Sequence, residues 1–134
     1  MEKVLIDIYY TGNNYCAHAP ILLGCVTTGT TLPDIKKNIR EAIEFHVASS
    51  LEDGDNIPEV FTGEYELEFK LSTEALLNAY SDVFTKAALS RITGINQRQL
   101  WHYASGMRKP RPAQRKRIED GLHNLGKELL NIGV

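Results

Sequence analysis

At 134 residues the chain has room for one domain or two small ones. Two cysteines, Cys16 and Cys25, exclude a disulfide framework, the longest apolar run is far short of a membrane span, and Met1-Glu2-Lys3 leads straight into an alternating segment with no signal peptide, so a reduced, cytoplasmic protein is expected. The net charge of −2 hides an asymmetry: residues 1–70 carry five Lys/Arg against twelve Asp/Glu, net −7, while residues 71–134 carry ten against five, net +5.

Val4, Ile6, Ile8 and Tyr10 alternate with other residues and predict a first strand over Val4–Tyr10. Thr11-Gly12-Asn13-Asn14 is turn chemistry, and Tyr15–Ala19 offers a second strand, giving a hairpin. Ile21–Thr27 is a third candidate strand, interrupted at Gly24 and closed by Gly29. Thr31-Leu32-Pro33-Asp34 matches a helix start, and Ile35, Ile39, Ala42, Ile43, His46 and Val47 predict one buried stripe along residues 32–49. A loop over Glu52–Pro58 follows. Tyr65, Leu67, Phe69 and Leu71 then alternate with Glu64, Glu66, Glu68 and Lys70, the pattern of a half-buried strand with an acidic outer face.

Beyond Leu71 the period changes from two to that of a helix. Ser72 can cap a helix with Leu76, Leu77 and Tyr80 inward, and Thr85 another with Ala88, Leu89 and Ile92 inward. Gln97–Ala104 follows with Leu100 and Tyr103 inward. Pro112 opens a last helix with Ile118, Leu122, Leu125 and Leu129 on one face. This places a boundary at residues 71 and 72: an α+β domain over 1–71 and an all-α domain over 72–134. Halves of this size bury only about 60% of their unfolded surface, so a homodimer or tetramer is expected.

The densest chemical signal lies between Lys86 and Arg117, where nine Lys/Arg occur with no Asp or Glu. Within it a short helix ends at Gly94, a tight turn follows, and the next helix opens on Gln97, Arg98 and Gln99. That is the layout of a helix-turn-helix that presents hydrogen-bonding side chains to the major groove of operator DNA. With His102 one turn on, these residues can line one outward face; Gln suits adenine and Arg suits guanine, at about 1–3 kcal/mol of discrimination for each good pair. Asn96, at the N-cap, suits either a phosphate or its own helix backbone. Arg108, Lys109 and Arg111 lie in a stiff basic loop suited to flanking phosphates, and a dimer neutralising about eight phosphates would give a salt slope near −7.

Ser90, Gly94 and Ser105-Gly106-Met107-Arg108-Lys109-Pro110 resemble the small-residue, turn and closing positions of the phage-repressor or Xre type of helix-turn-helix. The resemblance implies base contacts from Gln97, Arg98, Gln99 and His102, and a place for Lys86 beside the phosphate backbone. Trp101 departs from the pattern; a sugar, a partner chain or the Arg108 loop are the surfaces it could meet.

The first half carries a second resemblance. Tyr15-Cys16-Ala17-His18-Ala19-Pro20, Leu23 to Thr31, Asn38-Ile39, Glu41-Ala42-Ile43 and Ile57-Pro58 are together similar to HicB antitoxins. The resemblance implies a partial RNase H-like domain, drawn here as an antiparallel sheet with one main helix, joined to a DNA-binding domain. It also implies a small basic HicA-like ribonuclease toxin as partner, neutralised by this chain, and repression of the shared operon. Glu64, Glu66 and Glu68 are the toxin-facing candidates by charge, although charged residues on an edge strand also prevent sheet aggregation. Departures are Leu23, where the family favours proline, and Pro33-Asp34, where it favours two acids.

No enzyme is expected. Asp7 lies where an RNase H-like nuclease would keep a metal-binding carboxylate, but two-metal chemistry needs further convergent carboxylates. Cys16, His18, Cys25 and His46 lack the paired spacing of a zinc site, so no metal or other cofactor is expected. The alternative function is a ligand-sensing transcriptional regulator without a toxin partner.

Overall fold

The alternation that opens the chain becomes β1 (Glu2–Tyr10), with Val4, Ile6 and Ile8 buried on one side. The computed structural model describes residues 1–134, which divide into two compact units, Met1–Ala75 and Leu76–Val134. In the first unit β2 (Tyr15–His18), β3 (Val26–Gly29), α1 (Leu32–Glu52) and β4 (Tyr65–Leu71) follow. A four-stranded sheet of order β3-β2-β1-β4 results, α+β in class.

The sheet is mixed, which corrects the antiparallel sheet expected from sequence. β1 pairs antiparallel with β2 and β2 with β3, but β4 runs parallel to β1, with Val4 opposite Leu67 and Ile6 opposite Phe69. The reason is the connection. Hairpins reverse a strand, whereas α1 carries the chain back between β3 and β4, and such a crossover returns the next strand in the same direction.

The third strand also starts later than the alternation suggested. Ile21–Gly24 folds as a turn, with the Leu22 amide donating to the Ala19 carbonyl (2.9 Å) and the Cys25 amide to the Leu22 carbonyl (3.1 Å). Gly24, at φ +84°, reverses the chain there, so the strand begins at Val26.

α1 begins as its residues require: the Thr31 hydroxyl accepts from the Asp34 amide at 3.2 Å, with Pro33 in the first turn. The Asn38 side-chain amide donates to the Thr28 carbonyl at 2.9 Å and ties the helix to β3. Ile35, Ile39 and Ile43 are fully buried, as are Ile6 and Ile8, and each such side chain contributes about 1.5–3 kcal/mol by leaving water. The helix thus covers one face of the sheet. Ala42, His46 and Val47 complete its stripe half-buried.

The second unit is helical. α2 (Thr73–Ala79) carries the division between the units, and its Ser72 cap accepts from the Ala75 amide at 3.1 Å. Then come α3 (Lys86–Thr93), α4 (Gln97–Ala104) and α5 (Pro112–Leu130). Leu77, Leu89, Ile95, Leu100, Tyr103 and Ile118 form the core, with Leu76, Phe84, Ala104 and Leu122 packed on it.

Two residues expected inside are exposed. Tyr80 is 38% exposed because α2 ends at Ala79 and the chain turns there, Phe84 packing in its stead. Leu129 is 56% exposed because α5, at 19 residues, overhangs its eight-residue neighbours α3 and α4. Those lengths correspond to about 28 Å against 12 Å. No helix is long and apolar enough to cross a membrane.

α3 and α5 meet backbone to side at Gly121, where a Cβ would stand 2.8 Å from the Ile92 carbonyl oxygen; Gly126, one and a half turns on, has open space around it. Gly121→Ala should therefore lower unfolding stability by about 1–3 kcal/mol through overpacking. Gly126→Ala should raise it by about 0.5–1 kcal/mol through helix propensity alone. Urea unfolding of the two variants checks both signs.

Candidate functional site

The α3–α4 segment is built from local rules. The Thr85 hydroxyl accepts from the Ala88 amide at 3.0 Å and starts α3, and Gly94, in the left-handed region at φ 76°, ends it with its amide on the Ser90 carbonyl at 2.8 Å. Thr93 is buried and its hydroxyl donates to the Leu89 carbonyl (2.7 Å) while accepting from the Ile95 amide (3.2 Å). Ile95 then anchors the turn in the core.

Two long-range hydrogen bonds fix the ends of the segment. Arg117, from α5, donates through Nη2 to the Gly94 carbonyl at 3.0 Å and through Nη1 to Gln114 Oε1 at 3.1 Å. Asn78 donates to the Ala104 carbonyl at 2.8 Å and holds the last turn of α4. In the sequence Arg117 is one of nine positive charges between Lys86 and Arg117. No local pattern could have paired it with a residue twenty-three positions away.

On α4 the structure separates the polar residues into two groups. Gln97 and Arg98 are exposed, and Trp101 is 60% exposed, one turn along the same face. Gln99 and Asn96 are turned to their own helix. The Gln99 side-chain amide donates to the Tyr103 hydroxyl at 2.8 Å, and Asn96 Oδ1 accepts from the Gln99 amide at 2.8 Å as an N-cap. His102 is half-buried, with Nδ1 enclosed and unpartnered among protein groups. The Lys86 ammonium sits over the Trp101 ring, 4.7 Å from its centroid.

The loop after α4 turns back through the Arg108 amide on the His102 carbonyl at 3.2 Å. Arg108, Lys109 and Arg111 are all exposed, and Arg111 precedes α5 without making a side-chain cap. This surface therefore gathers Gln97, Arg98, Trp101 and Lys86 on one helix pair and Arg108, Lys109 and Arg111 on the loop behind it. Chemically it offers guanidinium and amide donors from a segment, Lys86 to Arg117, that contains no Asp or Glu, matched to a polyanion.

In the first unit, Glu66 and Glu68 are exposed on β4 and Glu64 stands just before it. The pairing with β1 sets Lys3 beside Glu66, Leu5 beside Glu68 and Lys70 beside Asp7, so this sheet face is mixed in charge. It also carries Leu5, Tyr9 and Val26, 42%, 46% and 56% exposed. Tyr9 stacks on His18 with ring centroids 5.7 Å apart, and His18 Nε2 lies 3.7 Å from Asp7 Oδ2.

Asp7 thus has an imidazole neighbour and no gathered carboxylates. Cys25 is buried, which pushes its thiol above the usual range, while Cys16 is half-buried on the open face. No three His, Cys, Asp or Glu side chains are grouped as for a metal ion.

The family model described as HicB_like antitoxin of bacterial toxin-antitoxin system matches residues 4–78, nearly all of the first unit and α2 as far as Asn78. A stretch of 53 residues is 36% identical to a protein of Haemophilus phage HP1 (strain HP1c1) named as an uncharacterized 14.9 kDa protein in the rep-hol intergenic region. That stretch spans 40% of this chain and 40% of the phage protein.

The capping role of Asn96 can be separated from any contact it makes outward. Asn96→Ala should cost about 1 kcal/mol of stability and Asn96→Asp close to none, because the carboxylate still accepts from the Gln99 amide. Thermal unfolding of the two variants measures the difference.

Proposed function

The chain belongs to the HicB-like antitoxin family of bacterial toxin–antitoxin systems, and from that premise we propose that it neutralises a small basic HicA-like ribonuclease toxin with its first unit and represses the shared operon with its second. The observation that carries the DNA half is the α3–α4 pair. Its turn is locked by Gly94 and Arg117, and its outward side chains are Gln97 and Arg98. We read it as an Xre-like helix-turn-helix with α4 in the major groove. Arg98 then reads a base edge, with Gln97 beside it, while Lys86, Arg108, Lys109 and Arg111 meet phosphates. Gln99, His102 and Asn96 contribute less directly, since Gln99 and Asn96 are engaged within α4 and His102 is half-buried.

The toxin half rests on the family and on the open face of the sheet. Its strand order β3-β2-β1-β4, with a helix covering one side, supports the partial RNase H-like reading. The uncovered side combines apolar area at Leu5, Tyr9 and Val26 with Glu66 and Glu68 at its β4 edge, in a stretch, residues 1–70, whose net charge is −7. A basic RNA-binding toxin would find both complementary charge and apolar surface there. Two-fold operator sites would pair with a dimer or tetramer of this chain.

Co-expression with the neighbouring small reading frame tests the toxin half: growth should be restored and the two proteins should copurify. Reversing Glu66 and Glu68 together to Lys should weaken rescue while leaving DNA binding intact, and undiminished rescue would remove this face from the toxin contact. For the DNA half, a duplex selected from a randomised pool should bind Arg98→Ala more weakly by about 1–3 kcal/mol and with relaxed base preference. Arg108→Ala should weaken all duplexes alike and reduce the salt slope by about one. An unaltered slope would take Arg108 off the phosphates.

A further inference from the structure

Trp101 is the chain's single tryptophan, and the fold gives it no interior to occupy. It stands 60% exposed on α4, four residues after Gln97 and three after Arg98, which at helical spacing puts the three on one outward face. Leu100 and Tyr103, its neighbours on the opposite side, are buried in the core. An indole left mostly exposed on this face contributes little to the core of the unit.

The ring is nevertheless held in place. Lys86, the first residue of α3, sets its ammonium 4.7 Å from the ring centroid, close enough for cation–π attraction. Trp101 also walls a groove with Phe84, Ala104, Ser81, Thr85, Lys86 and Ser105, mostly apolar in lining and rimmed by hydroxyls and one ammonium. An apolar surface with one ammonium at its rim suits a nucleotide, whose phosphate and apolar surfaces lie a few ångströms apart.

We infer that Trp101 is a specificity-determining residue: its indole packs on the 5-methyl group of a thymine in the bound duplex, and Lys86 positions the ring. This rests on the reading of α4 as the groove-entering helix. The physical ground is that the thymine methyl is the one apolar group a base pair presents in the major groove, and apolar side chains are what recognise it. A sugar on the groove wall would offer the same ring an apolar surface, but one present at every base and therefore without sequence preference.

The test uses the full chain and a labelled duplex selected from a randomised pool, alongside the same duplex with uracil replacing each thymine. Binding is followed both by label anisotropy and by Trp101 emission, which reports one residue because there is no other tryptophan. Wild-type protein should bind with a change in Trp101 emission and should lose about fourfold in affinity on the uracil duplex, the loss expected for one methyl group returned to water.

Trp101→Ala should bind the thymine duplex about tenfold more weakly and no longer distinguish uracil, while Trp101→Phe should retain part of the preference. Lys86→Met should weaken binding to both duplexes alike through its lost phosphate contact and, beyond that common loss, shrink the thymine preference. Equal loss by Trp101→Ala on both duplexes would assign the ring to a sugar and overturn the inference. Binding without any emission change would overturn it too, as would emission that follows protein concentration instead of DNA. Absence of binding by the wild-type protein to any selected duplex would instead remove the DNA reading itself. Because Trp101 is mostly exposed, the variants should lose no more stability than the cation–π contact supplies, about 0.5–1 kcal/mol, and binding is compared at a temperature where all of them are folded.

Discussion

The hydrogen bond from Arg117 to the Gly94 carbonyl sets the geometry on which the second unit depends. Gly94 can take its left-handed conformation at little cost because it has no Cβ, but that freedom alone would leave the turn between α3 and α4 loose. Arg117 arrives from α5 and pins the carbonyl, while its second nitrogen is held by Gln114 on the same helix. Ile95, one residue beyond Gly94, is buried in the core and fixes the other side. The direction of α4, and hence of every outward side chain on it, follows from those constraints. A charge-assisted hydrogen bond of this kind is worth more than a neutral one, which suits a turn with little apolar surface of its own.

The first unit obeys a different constraint. Its core is made by isoleucines on two periodicities, two apart on β1 and four apart on α1, so that one face of the sheet and one stripe of the helix bury each other. Covering one face leaves the other to residues of mixed character. Lys3, Leu5, Asp7 and Tyr9 alternate with the buried set, and β4 sets Glu66, Glu68 and Lys70 beside the first three. Interleaved charge along β1 and β4 keeps that face in solution without making it featureless.

Much of this was legible because it is local. Thr31, Ser72, Thr85 and Asn96 were each readable as caps, and each accepts from an amide three residues on. The buried stripe of α1 and the inward pair Leu100 and Tyr103 followed from spacing alone. What sequence could not give was long-range or directional. The parallel sense of β4 depends on a crossover, and the exposure of Leu129 depends on how far α5 outruns its neighbours. Gln99 illustrates the same limit on the candidate site: its position predicted a reader of bases, but the Tyr103 hydroxyl one turn on takes its amide. Tyr103 and Gln99 are four apart, so this pairing was available to a helical-wheel argument that weighed side-chain partners along with faces.

The two kinds of residue also differ in what a family relationship can transmit. Core positions such as Ile35, Ile39 and Ile43 are dictated by packing, and any sequence adopting this sheet and helix must fill them with similar volume. Arg98, Trp101, Arg108, Glu66 and Glu68 are exposed, and the folded state would survive their replacement. Their identities are therefore not explained by stability, and an exposed tryptophan held under a lysine is costly to solubility without serving the core. Function is carried by such residues, by what they can bind and in what order along the surface. On α4 that order is amide, guanidinium and, one turn later, indole. These are the three chemistries that distinguish adenine, guanine and thymine edges in a major groove.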